Sequence, residues 1–306
     1  MKKCLGCGSV LQNTDAEESG YTPKLENDLC MRCFKLKHYG NLINVGKKQS
    51  NDTILNKINK KKSTVLFITD FLNICDEVID IFKKIKNKKV LVITKSDLIP
   101  KNIVRDKLIN NIKDIYEIDE DIILVSSKNK ENLRALENIC WKEKTVIFAG
   151  FTNAGKSSLI NALVGSDITV SSKINTTQEF IRLVVEDIVI FDAPGFIGEF
   201  YKADVPKTKI KAITYQLASK YYLKIDDIDI ASEADNNLTI YMNNEINIDK
   251  RRIKDTLEYG LIIPTNHDLV IKGLGFISFS KITRLYINID SKYYEVRPTI
   301  IGGNHE

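Results

Sequence analysis

Long apolar runs are missing from this 306-residue chain. None approaches the ~18 residues that a membrane-spanning helix needs, so an integral membrane protein is not expected. The opening Met1-Lys-Lys-Cys4 runs straight into a cysteine motif. It lacks the apolar core of a secretory signal and the Arg/Ser richness of a transit peptide, and a cytoplasmic protein with no membrane partner is the expectation. Cysteine is scarce as well, with six in all, too few for a disulfide scaffold in a reducing compartment. No internal repeat stands out. Hydrophobic residues at 43% and charged residues at 28% supply packed cores and exclude a disordered chain, a collagen-like rod and a coiled coil.

An excess of one charge sign is almost absent overall, at net +5, but it is unevenly placed. Residues 1–63 hold 12 basic against 6 acidic side chains, residues 64–204 hold 19 against 21, and residues 205–306 hold 14 against 13. The basic excess therefore lies in the first fifth of the chain, which suggests a polyanionic partner at one end of the molecule.

Four of the six cysteines form two pairs, Cys4-x-x-Cys7 and Cys30-x-x-Cys33, with 22 residues between the pairs. That spacing suits a closed tetrahedral structural Zn²⁺ site. An Fe–S cluster and a redox dithiol are the alternatives. His38 follows closely, but four thiolates already satisfy a metal. Cys75 and Cys140, on predicted helices in apolar surroundings, read as core residues. Residues 34–62 are lysine-rich, including Lys35, Lys37, Lys47, Lys48, Lys57 and Lys60–Lys62 against Asp52 alone. They read either as a solvated linker or as a phosphate-contacting stretch, with Phe34 and Tyr39 available to stack on unpaired bases.

From residue 64 the texture changes. Short apolar runs at 64–70, 89–94, 121–126 and 145–149 read as buried strands, and the stretches at 76–86, 101–116 and 131–141 as helices. This alternation predicts an α/β fold, a parallel sheet with flanking helices. Beyond Phe196 the rhythm is lost. Residues 205–225 are expected to be helical, followed by short strands at 238–241 and 285–289. Three domains are expected: a Cys4 module with a basic linker (1–62), a nucleotide-binding α/β domain (63–204) and a C-terminal α+β domain (205–306) that binds RNA or the ribosome. Tyr221, Tyr222, Tyr293 and Tyr294 could stack on RNA or simply line the rim of that domain's core.

The strongest motif is Gly150-Phe-Thr-Asn-Ala-Gly155-Lys156-Ser157, a full G-x-x-x-x-G-K-S between a predicted strand and a predicted helix. Its glycines let backbone N–H groups curl around phosphate oxygens at a helix N-terminus. Lys156 reaches the β- and γ-phosphates and Ser157 offers a hydroxyl to Mg²⁺. Asp192-Ala-Pro-Gly195 is the D-x-x-G expected on the metal side, with Gly195 N–H sensing the γ-phosphate. Thr94-Lys95-Ser96-Asp97 resembles the N-K-x-D guanine motif. The Asp97 carboxylate can accept from guanine N1–H and the exocyclic amine, a donor pair that adenine lacks. Ser126-Ser127-Lys128 resembles S-A-K, whose backbone N–H faces guanine O6. Both lie at strand ends, where ligands gather in open α/β sheets.

The order of the motifs, 94–97, 126–128, 150–157, 176–177 and 192–195, is a circular permutation of the ordinary GTPase order. The chain resembles the circularly permuted GTPases, and the Cys-x-x-Cys pairs in front make it similar to the YqeH family of bacterial ribosome-assembly GTPases. The resemblance implies hydrolysis of GTP to GDP and phosphate and a role with the small ribosomal subunit or its rRNA. It also implies a nucleotide site that includes Asn153, Ala154 and Ser158, and a switch threonine, Thr177 with Thr176 as fallback, on Mg²⁺ with Ser157 and Asp192. Asn153 matches the asparagine of GTPases that use K⁺ in place of an arginine finger. Thr94 stands where asparagine is usual, which removes an amide on the base side. Phe196 stands where a water-orienting glutamine is common, so intrinsic turnover should be slow or assisted. Two rivals remain. One is a metabolic P-loop enzyme, disfavoured by only three arginines between 64 and 204; the other is a GTP-holding scaffold without turnover. If the basic stretch contacts phosphates, RNA affinity will fall steeply as salt rises. A slope near zero in a salt titration of binding would remove that stretch from the argument.

Overall fold

A computed structural model of the chain describes residues 2–5, 9–16, 18, 20–31, 34, 49–164, 180–202, 206 and 208–302. In chain order the first elements are α1 (Asn51–Lys60), β1 (Thr64–Asp70), α2 (Asp76–Lys84), β2 (Lys89–Thr94) and α3 (Arg105–Tyr116). They are followed by β3 (Ile122–Leu124), α4 (Leu133–Glu143), β4 (Thr145–Gly150), α5 (Lys156–Val164), β5 (Ile181–Val185) and β6 (Ile188–Asp192). Ten further strands follow: β7 (Ile213–Leu217), β8 (Tyr221–Ile225), β9 (Ile228–Ser232), β10 (Asn236–Met242), β11 (Ile248–Arg252), β12 (Leu261–Ile263), β13 (His267–Ile271), β14 (Gly275–Phe279), β15 (Thr283–Ile287) and β16 (Tyr294–Pro298). No helix among the described residues is long and apolar enough to cross a membrane.

Two compact units emerge, and neither is continuous in sequence. The first takes 1–70, 80–97 and 120–198; the second takes 71–79, 98–119 and 199–306. In the first, a six-stranded sheet has the order β3-β2-β1-β4-β6-β5. All neighbours pair in parallel except β5 with β6, which form an antiparallel hairpin. The central strand β1 is buried along its whole length, as a strand covered on both faces must be. Its run Val65, Leu66, Phe67, Ile68 is apolar throughout, without the polar alternation of a half-exposed strand. On one side of the sheet, Leu66, Ile68, Val92, Val146 and Phe148 pack with Leu136 and Cys140 of α4 and with Leu159 and Ile160 of α5. Each such side chain, fully buried, contributes about 1.5–3 kcal/mol.

Helix α1 lies within the stretch expected to be a basic linker. Ser50 caps it by accepting from Thr53 N, Asp52 sits in its first turn and Lys57 and Lys60 in its last, the arrangement a helix dipole favours. Ile54, Leu55 and Ile58 supply a buried stripe, so this lysine-rich segment is a docked amphipathic helix.

The second unit corrects the reading of the C-terminal region. The described residues beyond 205 form strands and one 3₁₀ turn, Ser291–Tyr293, and the expected helix at 205–225 is replaced by β7 and β8. A turn closed by Tyr221 N to Ala218 O (2.9 Å) separates these strands. It contains neither glycine nor proline, so the break was invisible, and the alternation Tyr221, Leu223, Ile225 was absorbed into a helical window. Two five-stranded antiparallel sheets, β16-β13-β14-β10-β7 and β11-β8-β9-β15-β12, share one core that includes Leu217, Leu223, Ile240, Leu269, Ile277 and Leu285. The domain is therefore β rather than α+β in its own strands, although this unit also contains α3 and residues 71–79.

Charged groups are buried in this unit. Arg297 Nη1 donates to Ile74 O, Nη2 lies 3.6 Å from Asp268 Oδ2, and the guanidinium sits 5.0 Å from the Phe276 ring centroid. Phe276 in turn meets Phe71 edge-on at 5.5 Å. The Glu295 carboxylate accepts from Asp76 N at 2.9 and 3.2 Å, capping the start of α2. Burial pushes the Glu295 carboxyl up to about 7, with Asp76 adding repulsion against the N–H bond and Arg297 that favour its charge. Because that value lies above the ordinary 4.5, stability is fullest below the ordinary value and is lost as pH rises through about 7. Urea unfolding followed from about pH 5 to about pH 8 should show this decline, and Glu295→Gln should flatten it. Parallel profiles for the two proteins would refute this assignment.

Candidate functional site

Four strands of the first unit deliver the motif residues to the same edge of its sheet. Gly150 ends β4, Thr94 ends β2, Asp192 ends β6, and Ser126 follows β3; since these strands run in parallel, their C-terminal ends coincide. Close approach dictates the first glycine: a Cβ on Gly150 would lie 2.2 Å from Ile68 O. Gly155 is left-handed at φ +89°. The non-glycine Asn153 shares that region at φ +64° and is exposed on the loop.

Lys156 opens α5, is buried, and pairs with Asp192 Oδ1. The other carboxylate oxygen, Asp192 Oδ2, is buried without a hydrogen-bond partner. A carboxylate oxygen left without a partner, with a hydroxyl on Ser157, the residue after Lys156, offers the oxygen ligands a hard divalent cation prefers, so the residues present fit Mg²⁺. Thr176 and Thr177, the expected switch threonines, lie outside the described residues. Ser158 is exposed on the first turn of α5.

Just past the ends of β2 and β3, Asp97 is half-buried and its Oδ1 accepts from Ser126 Oγ at 2.6 Å. Ser126 is fully buried, and Lys128 N lies 3.2 Å from its hydroxyl. One carboxylate oxygen is thereby tied to the neighbouring strand end. Ser127 is half-buried and Lys128 exposed. Ser96 Oγ donates to Glu131 Oε2 at 2.7 Å, a further tie between these two loops.

Thr94 is buried, with its hydroxyl 2.5 Å from Ala154 O and 3.1 Å from Thr69 O. A hydroxyl has one proton to donate, and both acceptors are backbone carbonyls, one of them in the phosphate loop. The side chain therefore braces the 150–157 loop against the end of β2. Lys95, left-handed at φ +57°, pairs with the buried Asp70 at 2.8 Å. Asp70 was missed from sequence; its one visible signal was a carboxylate ending an otherwise apolar central strand.

Phe196 is fully buried against Phe67 and Phe151, at centroid distances of 6.0 and 5.7 Å. Its N–H donates to Gly150 O and its carbonyl accepts from Thr152 N, each at 3.0 Å. This side chain points into the core and has no polar group with which to orient water. Gly195 is held close to the phosphate loop, since a Cβ there would lie 2.9 Å from Thr152 Cγ2.

Of the N-terminal cysteines, Cys4 and Cys30 are buried together, and Cys30 N donates to Cys4 Sγ at 3.1 Å. Such a bond favours a thiolate, so this half of the cysteine set fits a metal. Cys7, Cys33, His38, Tyr39 and Lys35, Lys37, Lys47 and Lys48 lie outside the described residues; Phe34 is exposed. Cys75 and Cys140 are buried, and desolvation pushes each thiol up to about 12, which makes them inert core residues. Cys75 precedes α2 instead of lying on it.

Comparison with known proteins finds GTPase families. The family model described as RsgA GTPase matches residues 54–199, and that described as 50S ribosome-binding GTPase matches residues 145–261. The YqeH protein of Bacillus subtilis (strain 168) is 29% identical over 287 residues, 82% of this chain and 78% of that one. The small ribosomal subunit biogenesis GTPase RsgA of Bacillus velezensis is 29% identical over 115 residues, 35% of this chain and 38% of that protein. A crystal structure of YjeQ from Thermotoga maritima aligns at a TM-score of 0.34 and 23% identity, covering 45% of this chain and 49% of that one.

The Thr94 brace can be tested directly. Thr94→Val keeps the shape and removes the hydroxyl, and should weaken GTP and GDP alike by about 1 kcal/mol, roughly fivefold in Kd. Thr94→Ser should restore both affinities. Fluorescent-nucleotide titration reads the change, and an unchanged Thr94→Val protein would show the brace to be idle.

Proposed function

The chain is a circularly permuted GTPase similar to YqeH and RsgA, and from that premise we propose that it hydrolyses GTP to GDP and phosphate during assembly of the small ribosomal subunit. The observation that carries the reading is the meeting of Lys156, at the start of α5, and Asp192, at the end of β6, buried together on the same sheet edge as Asp97.

In this reading the backbone N–H groups of 150–157 hold the phosphates, and Lys156 turns from Asp192 to the β- and γ-phosphates. Asp97, steadied by Ser126, accepts from guanine N1–H and its exocyclic amine. Lys95, Ser127 and Lys128 complete the base side, with Thr94 and Ala154 bracing the loop from beneath. Gly195 N–H meets the γ-phosphate. Magnesium held by Ser157, Thr177 and Asp192 supplies the charge that offsets the phosphates. Asn153, exposed on the loop in a left-handed conformation, helps hold K⁺ beside them in this reading. Cys4, Cys7, Cys30 and Cys33 hold a structural Zn²⁺. The cysteine module and the C-terminal β domain contact ribosomal RNA, in the cytoplasm, with an affinity set by the nucleotide bound.

A second reading, a GTP-dependent RNA-binding scaffold with little turnover, is favoured by one observation: Phe196 is buried where a water-orienting side chain would stand. GTP hydrolysis measured in KCl and in NaCl, with and without small ribosomal subunits, separates the two. Turnover that rises with subunits and is abolished in Lys156→Ala is the expected result, with a K⁺ preference assigning Asn153 its role. Nucleotide binding without turnover under every condition would replace the enzyme with the scaffold.

A further inference from the structure

The backbone just after the D-A-P-G segment is held by a residue that belongs to none of the GTPase motifs. Asn51, the first residue of α1, grips the backbone of Ile197 with both ends of its amide. Asn51 Oδ1 accepts from Ile197 N at 2.9 Å, and Asn51 Nδ2 donates to Ile197 O at 2.7 Å. Ile197 is two residues past Gly195. The intervening Phe196 is tied on both sides to the phosphate loop, through Gly150 O and Thr152 N. The backbone of Phe196 and Ile197, directly after Gly195, is thus held between the 150–157 loop and α1.

The holder is itself fixed. At the far end of α1, Asn59 Nδ2 donates to Lys84 O at 3.1 Å and Asn59 Oδ1 accepts from Lys86 N at 2.9 Å. Asn87 donates to Lys61 O. Lys61 Nζ lies 4.1 Å from the Phe191 ring centroid and 5.3 Å from that of Phe180; Phe191 immediately precedes Asp192. Ile54, Leu55 and Ile58 bury the helix face. A rigid helix that anchors a two-bond clasp can position a backbone N–H, whereas an isolated surface amide could not.

We propose that Asn51 is a positioning residue for GTP hydrolysis, acting through Ile197 to set the place of Gly195 N–H opposite the γ-phosphate. The inference rests on the GTPase reading above. GDP has no γ-phosphate for Gly195 to meet, so losing the clasp should affect turnover and spare GDP affinity. Since α1 follows the cysteine module in the chain, the geometry of this step is set by an element outside the permuted motif set.

The test is steady-state GTP hydrolysis by the full chain, wild type beside Asn51→Ala and Asn51→Asp, with GDP affinity and thermal midpoint measured on the same samples. Aspartate still accepts from Ile197 N–H but cannot donate to the carbonyl. The expected result is a kcat about fivefold or more lower in Asn51→Ala, a smaller fall in Asn51→Asp, GDP affinity within about twofold and an unchanged midpoint. An unchanged kcat overturns the proposal, as does a fall in kcat, GDP affinity and midpoint together. Amide exchange at Ile197, expected to quicken about fivefold in Asn51→Ala, is read in the same proteins. Equal exchange in wild type and variant would also overturn it, and Asn51→Asp decides alone where the alanine variant does not fold. Should wild type show no turnover with or without small ribosomal subunits, the GTPase reading fails by itself, and exchange at Ile197 with and without a non-hydrolysable GTP analogue decides the clasp.

Discussion

The parallel pairing of β1 with β4, from Thr64 opposite Val146 to Ile68 opposite Gly150, is the constraint on which the candidate site depends. It joins a strand from the early part of the chain to one that enters some eighty residues later, and it aligns their C-terminal ends. With β2 on one side of this pair and β6 on the other, the motif residues at 94–97, 150–157 and 192–195 end up at one edge. Motif order along the chain is immaterial to such a sheet, because strand neighbours are set by hydrogen bonding and not by sequence distance. That is why a permuted chain can assemble the same constellation.

Around that edge the polar groups are mostly occupied by one another. Lys156 is taken by Asp192, Lys95 by Asp70, one Asp97 oxygen by Ser126, and the Thr94 hydroxyl by the phosphate loop. Buried charges need partners, since an unpaired one costs several kcal/mol. In the proposed reading a nucleotide with its cation enters by exchanging partners, and Asp192 Oδ2 is the oxygen left over for that exchange. Phe196 takes the opposite part: it gives up water chemistry and gains a fixed place in an aromatic cluster, so that its backbone aligns the residues before and after it.

The second unit shows how tertiary packing reassigns local sequence. Residues 71–79 and α3 interrupt the run of strands and helices in the first unit, yet they are gathered with the C-terminal strands. Arg297 binds Ile74 O, Glu295 caps α2, and Asn111 Nδ2 donates to Ile300 O at 3.1 Å. In the same way, the lysines of α1 hid an apolar stripe of three residues, and a turn without glycine or proline hid the break between β7 and β8.

The strand–loop–helix setting of the G-x-x-x-x-G-K-S motif, the strand-end positions of Asp97 and the D-A-P-G segment, and their permuted order could all be read along the chain. Each is a local pattern, and buried strands advertise themselves by unbroken apolar runs. The roles of Thr94, Asp70 and Asn51 could not be read that way. Each acts on a partner far away in sequence, Ala154, Lys95 and Ile197, and residue type alone does not say which carbonyl or charge a side chain will meet. Only the folded sheet, by bringing those strand ends and α1 within hydrogen-bond reach, decided that a threonine would brace a loop and an asparagine would hold a switch.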